Sequence, residues 1–332
     1  MDDAHVLWKL IFANIGYSTL LVAHDLELFP LLGERPRTDA EVREALGIAE
    51  RPAAVLLATC VALGLARVSD GRYALTPVAE RTLLPGSETY FGSFLDAMVA
   101  NDAVFTFDAM KRAVLADSAQ VYGGEALFEE HEQQAGLAQA FTRAMHGHSA
   151  EPARAWPPLI DLGDARTLLD VGGGSGAHAI AAALRWPRLS AVVFDIPVVC
   201  AVADQYVARQ GLCDRVGTLA GDMWKDPFPP ADVHFYADIF HDWPDAKCRF
   251  LAEKSFASLP RNGRIVVHEL LFDDDKTGPL AAAAYSGAML LWTEGRQRSG
   301  REISALLAEA GFTDVAVQPT IGYWSVVTAR RP

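Results

Sequence analysis

A histidine and a glutamate stand near the ends of two predicted strands, where they could handle protons. His241 follows the strand predicted at 233–237, and Glu269 lies near the end of the strand predicted at 264–271. An imidazole titrates near neutral pH, so it can take the proton of a hydroxyl group while that oxygen attacks an electrophile. A buried acid such as Glu269 is costly unless it has a partner. We therefore predict that His241 is a general base, with a structural histidine that binds the backbone as the alternative.

A second set of residues predicts a nucleotide-binding turn. Asp170 lies in an apolar stretch that leads into Gly172, Gly174 and Gly176. Glycines allow a sharp turn and let a ligand approach the backbone more closely than a Cβ atom would permit. Asp195, nineteen residues after Gly176 at the end of the next predicted strand, is placed where a carboxylate can accept both ribose hydroxyls.

Two kinds of nucleotide cofactor are compatible with these glycines. The spacing of Gly172, Gly174 and Ala177 also matches a loose dinucleotide pattern. A carboxylate at Asp170 suits the ammonium group of S-adenosylmethionine, whereas it would repel a pyrophosphate. We therefore predict S-adenosylmethionine as the cofactor and methyl transfer as the reaction. A nicotinamide-dependent dehydrogenase is the less favoured alternative.

The C-terminal half has the pattern of a parallel α/β sheet, in which strands alternate with glycine turns and helices. The last two predicted strands lie too close together for a crossover helix and should form an antiparallel hairpin at the sheet edge. Such a terminal hairpin is typical of class I methyltransferase sheets, which are Rossmann-like. The predicted strands are 167–171, 191–194, 216–220, 233–237, 264–271, 314–318 and 324–329.

The N-terminal part has the pattern of a winged helix. Thr38 and Glu41 have the spacing of a capping box at a helix start, and a second helix is predicted at 51–63. Residues 66–75 then predict a tight hairpin. DNA binding is disfavoured because the second helix carries a single basic side chain, that of Arg51. The chain also has 29 Lys and Arg against 42 Asp and Glu, and its net charge of −13 would repel the phosphate backbone. We predict a packing and dimerisation module.

An apolar stretch from Val6 to Leu32 is interpreted as a buried interface helix that is paired or exchanged between subunits. Lys9, Asn14 and Asp25 interrupt it too often for a membrane span. The acidic N-terminus lacks the basic region of a signal peptide, and the four cysteines show no paired spacing. We therefore expect a cytoplasmic homodimer that binds neither nucleic acid nor a membrane.

The predicted domain boundaries follow from a change of pattern near residue 160. Residues 1–100 are predicted to be the helical, winged-helix dimerisation domain, and 101–160 to be linking helices that contribute to the acceptor pocket. Residues 161–332 are predicted to bind S-adenosylmethionine. The helical pattern between 90 and 155 rests on apolar residues at three- and four-residue steps. These residues are Phe91, Phe94, Leu95, Met98, Phe128, Leu137, Phe141 and Met145.

Five motifs occur in a specific order along the chain. They are Asp170–Gly176, Phe194–Pro197, Gly221–Trp224, His241–Trp243, and the stretch from Gly278 through Thr293–Gly295 to Phe312. In these motifs the chain resembles the small-molecule O-methyltransferases, the family of the plant phenol methyltransferases, acetylserotonin O-methyltransferase and many bacterial natural-product enzymes. The resemblance covers nearly the whole chain. It implies that the methyl acceptor is a hydroxyl of a small aromatic or polyketide-like molecule.

The resemblance also implies roles for individual residues. Asp195 would bind the ribose, and Asp222 and Met223 would flank the adenine. Ser149 would contact the cofactor's carboxylate, and Met145 would pack beside the donor methyl. The remaining cofactor-binding residues in this prediction are Asp170, Gly172, Gly174 and Asp238. The acceptor pocket would be lined by Phe141, Met145, Met289 and Trp292, although simple packing explains Phe141, Met289 and Trp292 equally well.

Three positions near the predicted base are informative. By resemblance, the carboxylate of Glu269 would orient the imidazole of His241 and favour its protonated form. Gln297 stands where the family usually has a second glutamate, so it should make His241 less basic than two carboxylates would. Asp238 stands where relatives more often carry an uncharged or basic residue. It could be a cap, a cofactor contact or a group that recognises a cationic acceptor.

The remaining polar residues near the base allow other interpretations. Asp242 is expected to be the N-cap of a helix that reaches about Ser258. His146, His148 and the pair His241-Asp242 offer metal ligands, but without a placed third ligand we predict no metal. The alternative functions are N- or C-methylation on the same scaffold, and a cofactor-binding regulator without catalytic activity.

Overall fold

The computed structural model describes residues 4–121 and 134–332, so the predicted helical residue Phe128 lies outside the described residues. The chain divides into two compact units, Met1–Ala100 and Asn101–Pro332. Each unit has its own core of buried apolar side chains.

The N-terminal unit combines helices with a three-stranded sheet. Its elements are α1 (Ala4–Asp25), α2 (Leu28–Glu34), β1 (Arg37–Thr38), α3 (Asp39–Leu46), α4 (Glu50–Ala62), β2 (Ala66–Ser69), β3 (Arg72–Leu75), α5 (Pro77–Leu83) and α6 (Gly92–Ala100). The Thr38 hydroxyl accepts a hydrogen bond from the Glu41 N–H, and the Glu41 carboxylate accepts one from the Thr38 N–H. The predicted capping box is therefore confirmed. The predicted hairpin is formed by β2 and β3, in a sheet of order β1-β3-β2.

The apolar N-terminal stretch forms two helices, so the prediction of a single helix was wrong. The chain leaves α1 after Asp25, and Glu27 takes a left-handed backbone (φ 58°) before α2 begins at Leu28. Leu28 and Phe29 of α2 are fully buried in the core of this unit. Large apolar side chains of α1 are instead between 49% and 64% exposed in the single chain, namely those of Val6, Leu7, Trp8, Leu10, Ile11, Phe12 and Ile15.

The same helix has the length and composition of a membrane span. Among the described residues, His5–Asp25 form a helix that is long and apolar enough to cross a bilayer. A helix with an exposed apolar surface also suits an interface between subunits.

The C-terminal unit contains a large sheet flanked by helices. Its helices are α7 (Phe107–Ala116), α8 (Ala135–Ala155), α9 (Ala177–Arg185), α10 (Pro197–Arg209), α11 (Asp245–Ser258), α12 (Leu280–Trp292) and α13 (Gly300–Glu309). Its strands are β4 (Thr167–Val171), β5 (Ser190–Asp195), β6 (Val216–Ala220), β7 (Val233–Ala237), β8 (Arg264–Leu270), β9 (Thr313–Pro319) and β10 (Trp324–Arg330). Short 3₁₀ turns lie at Asp102–Phe105, Pro157–Leu159 and Phe240–Asp242.

The strand order of this sheet is β6-β5-β4-β7-β8-β10-β9. Strands β4 to β8 run parallel to one another, and β10 is antiparallel to both β8 and β9. The seven predicted strands are confirmed to within one residue at each end, and the predicted terminal hairpin is formed by β9 and β10. The sequence prediction of a class I methyltransferase sheet is therefore confirmed.

The strand order also explains where a ligand can bind. The chain runs from β4 outward to β5 and β6, then returns to β7 on the other side of β4. The loops after β4 and β7 therefore leave in opposite directions and open a crevice at the carboxyl ends of these strands. The strands beside the crevice are packed on both faces, and Leu169, Phe235 and Val267 are fully buried. A rigid sheet thus holds the glycine turn and the His241 turn side by side.

Candidate active site

The side chain of His241 lies buried beyond the carboxyl end of β7. It belongs to the 3₁₀ turn Phe240–Asp242. Its Nδ1 atom is 3.0 Å from Oε2 of Glu269 and 3.0 Å from Nε2 of Gln297. The structure therefore brings together the three residues of the predicted catalytic set.

Glu269 holds the backbone of this turn as well as its side chain. Its Oε1 atom accepts hydrogen bonds from the Phe240 N–H at 2.9 Å and from the His241 N–H at 3.3 Å. Strand β8 places Glu269 there, because β8 pairs in parallel with β7 and ends beside it. One carboxylate thus fixes both the imidazole and the peptide units that carry it.

Carboxylates around the imidazole determine its pKa. Burial alone would lower the pKa of His241, but the negative charges of Glu269, Asp242 and Asp238 outweigh it and raise the pKa to about 10. Gln297 contributes no charge. Sequence reasoning counted one carboxylate beside the base, whereas the fold adds two from the same loop.

Asp242 is not the helix N-cap that the sequence predicts. Helix α11 begins at Asp245, and the residue before it is Pro244, which makes no side-chain cap hydrogen bond. Proline suits this position because its fixed φ and missing N–H cost nothing at a helix start. Asp242 instead lies buried with Oδ1 3.4 Å from Nε2 of His241. Burial raises the pKa of Asp242 to about 7.

Asp238 joins the same cluster of charges. Its carboxylate oxygens are 3.8 Å from Nδ1 of His241 and 3.6 Å from Nδ1 of His148. Its backbone is left-handed (φ 52°), and its N–H donates to the carbonyl of His268. Burial raises the pKa of Asp238 to about 7, against the lowering effect of His241. Ligand atoms of Asp238, His241 and Glu269 lie within 4.8 Å of one another, a spacing that a metal ion could bridge.

The two histidines of α8 contact different partners, so they do not form a joint ligand pair. Nδ1 of His146 lies 2.8 Å from the Ser175 hydroxyl of the glycine turn, and its ring stacks on Tyr206 with centroids 3.6 Å apart. His148 faces Asp238, and its Nε2 lies 3.4 Å from the Tyr285 hydroxyl. Burial lowers the pKa of both histidines to about 4, so both rings are neutral at neutral pH.

Sequence reasoning missed several residues around the His241 turn. The buried Arg298 donates to the carbonyl oxygens of Phe240 and Trp243 at 2.5 and 2.8 Å. The Tyr285 ring meets the imidazole edge-on, with centroids 5.3 Å apart. Gly295 ends the Thr293–Gly295 motif, and its backbone lies close to the His241 turn, a contact that the motif does not signal. Arg298 lies 58 positions from Phe240, so no local pattern signals the contact.

The glycine turn after β4 has the conformation that its sequence predicts. Gly172, Gly174 and Gly176 have φ values of 64°, 57° and 76°, which L-residues with a Cβ rarely adopt. A Cβ atom on Gly174 would meet nothing within 4 Å, so space is open above the turn. The Gly174 N–H donates to Oδ2 of Asp195 at 2.9 Å. The turn and the predicted ribose-binding carboxylate are thus held together.

Asp170 lies beneath this turn. One of its oxygens accepts a hydrogen bond from the Ala179 N–H at 3.2 Å, and Oδ1 is buried without a hydrogen-bond partner among the described residues. A Cβ on Gly173 would lie 2.7 Å from the Asp170 carboxyl carbon, so this position requires glycine. Burial raises the pKa of Asp170 to about 7, and the nearby Asp195 adds to the shift.

Asp222 and Met223 follow β6, next to β5 and Asp195. Oδ1 of Asp222 accepts the Trp224 N–H at 2.8 Å, while Oδ2 pairs with Lys225 at 2.8 Å. The Met223 carbonyl accepts a hydrogen bond from Lys254 at 2.7 Å. These contacts order the loop at the outer end of the crevice.

The predicted acceptor residues come from α8 and α12. The rings of Phe141 and Trp292 have centroids 6.2 Å apart, and Phe105 lies 6.0 Å from Trp292 on another side. Met289 and Trp292 are buried, whereas Met145 and Ser149 are half-buried on α8. The structure therefore joins Phe141 to Trp292 in one aromatic cluster, and it includes Phe105, which the sequence did not single out.

The fold and the site together define a class of protein. A sheet with an antiparallel C-terminal hairpin, a glycine turn after its first strand and an acid after its second are the features of a class I methyltransferase. The imidazole beside that nucleotide crevice fits transfer to a group that must lose a proton.

Comparison with known proteins identifies the family. Residues 107–313 match the O-methyltransferase domain, and residues 8–85 match the O-methyltransferase dimerisation domain. The chain therefore belongs to the O-methyltransferase family, and it is an S-adenosylmethionine-dependent methyltransferase.

Individual relatives are similar over nearly their whole length. The chain is 36% identical to 3-hydroxy-5-methyl-1-naphthoate 3-O-methyltransferase of Streptomyces sahachiroi, over 95% of this chain and 89% of that protein. It is 33% identical to acetylserotonin O-methyltransferase of Bos taurus, over 94% of this chain and 93% of that protein. The solved structure of human N-acetylserotonin methyltransferase in complex with S-adenosylmethionine superposes with a TM-score of 0.90 at 29% identity. That match covers 100% of this chain and 98% of the human one.

The described residues fit S-adenosylmethionine. The open space above Gly174 leaves room for a ligand against the backbone. The buried Oδ1 of Asp170 has no hydrogen-bond partner among the described residues and could accept one from an ammonium group or a bridging water. Asp195 retains acceptor capacity beyond its bonds to the Gly174 and Ile196 N–H groups, because each carboxylate oxygen can accept two hydrogen bonds.

Proposed function

We propose that this O-methyltransferase acts on a hydroxyl group of a small aromatic molecule, with His241 as the general base. The observation that carries the proposal is the pairing of the buried His241 imidazole with Glu269 and Gln297 at 3.0 Å each. With its proton on Nδ1 facing the Glu269 carboxylate, the neutral imidazole has Nε2 as the nitrogen that can receive a proton. A hydroxyl acceptor needs such a group, because its proton must leave as the new C–O bond forms.

Different residues of the chain would contribute to different parts of the reaction. S-adenosylmethionine, when bound, supplies an electrophilic methyl group. Glu269 holds the His241 ring in orientation and stabilises its charge after it has taken the proton. Asp242, 3.4 Å from Nε2, adds to that stabilisation. Holding the nucleophile in line with the donor accounts for much of the remaining rate enhancement.

We assign the cofactor to the crevice between the turns after β4 and β7. Asp195 would bind the ribose hydroxyls, and Asp222 with Met223 would border the adenine. Asp170 would face the ammonium group from below the glycine turn, and Ser149 would contact the carboxylate. These assignments are supported by the order of β4, β5 and β6, which brings their carboxyl ends to one edge. The remaining proposed cofactor contacts are Gly172, Gly174 and Asp238.

We assign the acceptor to the aromatic cluster of the C-terminal unit. Phe141 and Trp292 would hold a planar ring between α8 and α12, and Met289 would close the apolar wall. Met145 would lie beside the transferred methyl group. Residues 101–160 would thus contribute to the acceptor pocket, residues 1–100 to dimerisation and 161–332 to cofactor binding.

The proposed assembly is a cytoplasmic homodimer. The match to the O-methyltransferase dimerisation domain and the exposed apolar side chains of α1 support an interface between two copies of the chain. The four cysteines are free thiols, which fits a reducing compartment. The net charge of −13 argues against nucleic acid as a partner.

A direct assay tests the proposed function. The purified chain is incubated with S-adenosylmethionine and either 3-hydroxy-5-methyl-1-naphthoate or N-acetylserotonin, the acceptors named for its relatives. We expect mass spectrometry to detect one added methyl group on at least one acceptor, with NMR placing it on oxygen. A methyl group on nitrogen or carbon would replace the O-methyl proposal with the corresponding alternative. Binding of a nicotinamide dinucleotide without binding of S-adenosylmethionine would reject methyl transfer altogether.

A further inference from the structure

Three residues of one short segment contact the turn that carries His241, and we call Gly295, Gln297 and Arg298 the clasp. Gly295 lies so close to the turn that a Cβ atom would be 2.1 Å from the His241 carbonyl oxygen and 2.4 Å from the Trp243 nitrogen. Gln297 contacts the imidazole itself at 3.0 Å. The clasp therefore contacts both the backbone of the turn and the imidazole of His241.

Arg298 makes the most extensive contact of the clasp. Its guanidinium donates from Nη1 to the Phe240 carbonyl at 2.5 Å and from Nη2 to the Trp243 carbonyl at 2.8 Å. Its Nε and Nη2 atoms also donate to Oδ1 of Asp245 at 3.1 and 2.6 Å. The side chain of Arg298 is only 2% exposed. One rigid, planar group thus spans the turn from the residue before His241 to the start of α11.

The chemistry of the turn explains why an arginine is required. Within the turn the Phe240 carbonyl accepts a long hydrogen bond from the Trp243 N–H at 3.4 Å, and buried carbonyls without good donors are costly. The thiol of Cys248 reaches the same two carbonyls at 3.2 and 3.5 Å, but a thiol is a weak donor. A guanidinium offers several donors in a fixed fork, whereas the ammonium of lysine cannot hold two separated carbonyls in one geometry. The carboxylate of Asp245 orients the guanidinium by accepting hydrogen bonds from its Nε and Nη2 atoms.

Proton transfer is sensitive to the placement of the base. His241 has contacts on both ring nitrogens, but the position of the ring depends on the peptide units at Phe240 and Trp243. Glu269 fixes the N–H groups of Phe240 and His241, and Arg298 fixes the carbonyls of Phe240 and Trp243. A displacement of about 1 Å in a catalytic group can reduce a rate roughly 100-fold.

We propose that Arg298 is a positioning residue for proton transfer, because it fixes the backbone on both sides of His241; this inference rests on His241 being the general base. Arg298 does not touch the reacting atoms. It acts through the turn, so its effect requires the imidazole to be present.

A double-mutant cycle tests this dependence on His241. Arg298→Lys and Arg298→Met are each made in the wild type and in His241→Ala, and methylation of N-acetylserotonin or 3-hydroxy-5-methyl-1-naphthoate is followed. We expect kcat to fall between roughly 10- and 100-fold in the wild-type background, with KM for the acceptor and Kd for S-adenosylmethionine within about threefold. In the His241→Ala background the same substitutions should change the residual rate by less than about threefold.

The matched control is Arg296→Met, two positions earlier. The Arg296 side chain binds Glu302 at 2.9 Å and Asp245 at 3.6 Å, but no carbonyl of the His241 turn. We expect this variant to keep kcat within about threefold of the wild type. Arg298→Lys retains the buried charge and serves if Arg298→Met fails to fold, and thermal unfolding of every variant identifies such a failure.

The possible outcomes separate the inference from the proposed function. Equal losses of kcat in both backgrounds would show a general structural role for Arg298 and overturn the inference. If Arg298→Lys and every other folded Arg298 variant keep the wild-type kcat, the positioning inference is overturned as well. If His241→Ala alone keeps the wild-type rate, the assignment of the base fails, and the positioning inference falls with it.

Discussion

Glu269 contacts His241 twice, once at the side chain and once at the backbone. Its Oε2 lies 3.0 Å from Nδ1 of the imidazole, and its Oε1 accepts the backbone N–H of His241 at 3.3 Å. The carboxylate therefore restrains both the ring and the peptide unit that carries it, and it selects the protonated form of the ring. This pairing relates the pH dependence of the enzyme to the geometry of its active site.

The first prediction concerns the ionisation of His241 in the wild-type protein. With a pKa of about 10, the imidazole carries a proton at neutral pH and becomes a free base only as the pH rises. We expect kcat/KM to increase from pH 7 toward pH 10, and an NMR titration of labelled histidine to assign a pKa near 10 to His241. A His241 pKa near 6.5 would show that the surrounding carboxylates do not stabilise the imidazolium.

The second prediction concerns Gln297, where the family usually has glutamate. Gln297→Glu places a further negative charge about 3 Å from the imidazole, which stabilises the protonated ring. We expect the pKa of His241 to rise further and the activity to require a correspondingly higher pH. The isosteric change keeps the volume of the side chain, so an unchanged NMR titration would mean that position 297 does not act on His241 electrostatically.

The third prediction concerns Gly295. Gly295→Ala would place a methyl group within 2.1 Å of the His241 carbonyl oxygen, so the turn must move. We expect kcat to fall at least roughly tenfold, because the base is displaced, while S-adenosylmethionine binds with nearly unchanged affinity. Gly136→Ala is the control, since a Cβ there meets nothing within 4 Å. Wild-type turnover in Gly295→Ala would contradict the contact between this segment and the turn.

The fourth prediction concerns Asp170 and stability. The pKa of Asp170 is raised to about 7 in the folded protein, above about 3.9 in the unfolded chain. A carboxyl group with a raised pKa contributes stability below the unfolded value, and this contribution is lost as the pH rises through the folded value. Between pH 6 and pH 9 we expect the wild type to lose about 1 kcal/mol more unfolding free energy than Asp170→Asn.

Urea unfolding at several pH values measures this difference. Asp214→Asn, at an exposed position, is the control and should follow the wild type. Parallel pH profiles for the wild type and Asp170→Asn would show that Asp170 is not protonated in the fold at pH 6.

Much of this fold could be predicted because its signals are local. The inner strands of the sheet are largely apolar runs that end at turns, and the glycines after β4 mark backbone conformations that other residues avoid. The Thr38 and Glu41 capping box is likewise contained in four residues. Such patterns depend on near neighbours, so they can be read without knowledge of the tertiary structure.

The details of the site depend on contacts between distant segments. Asp242 has the sequence position of a helix cap, but the helix begins only at Asp245, after Pro244, and Glu269 holds the turn. Asp242 therefore lies beside Nε2 of His241. Arg298 reaches the same turn from 58 positions away. The break at Glu27, which divides the predicted N-terminal helix, also arises because α2 packs into the core of its own unit.

The most direct test of the account is the activity of His241→Ala at saturating S-adenosylmethionine. Calorimetry first establishes that the variant binds the cofactor as the wild type does, so that a lost rate can be attributed to the missing imidazole. We predict a reduction of kcat between roughly 100- and 10,000-fold. Turnover within a few fold of the wild type would contradict the central claim that His241 removes the acceptor's proton.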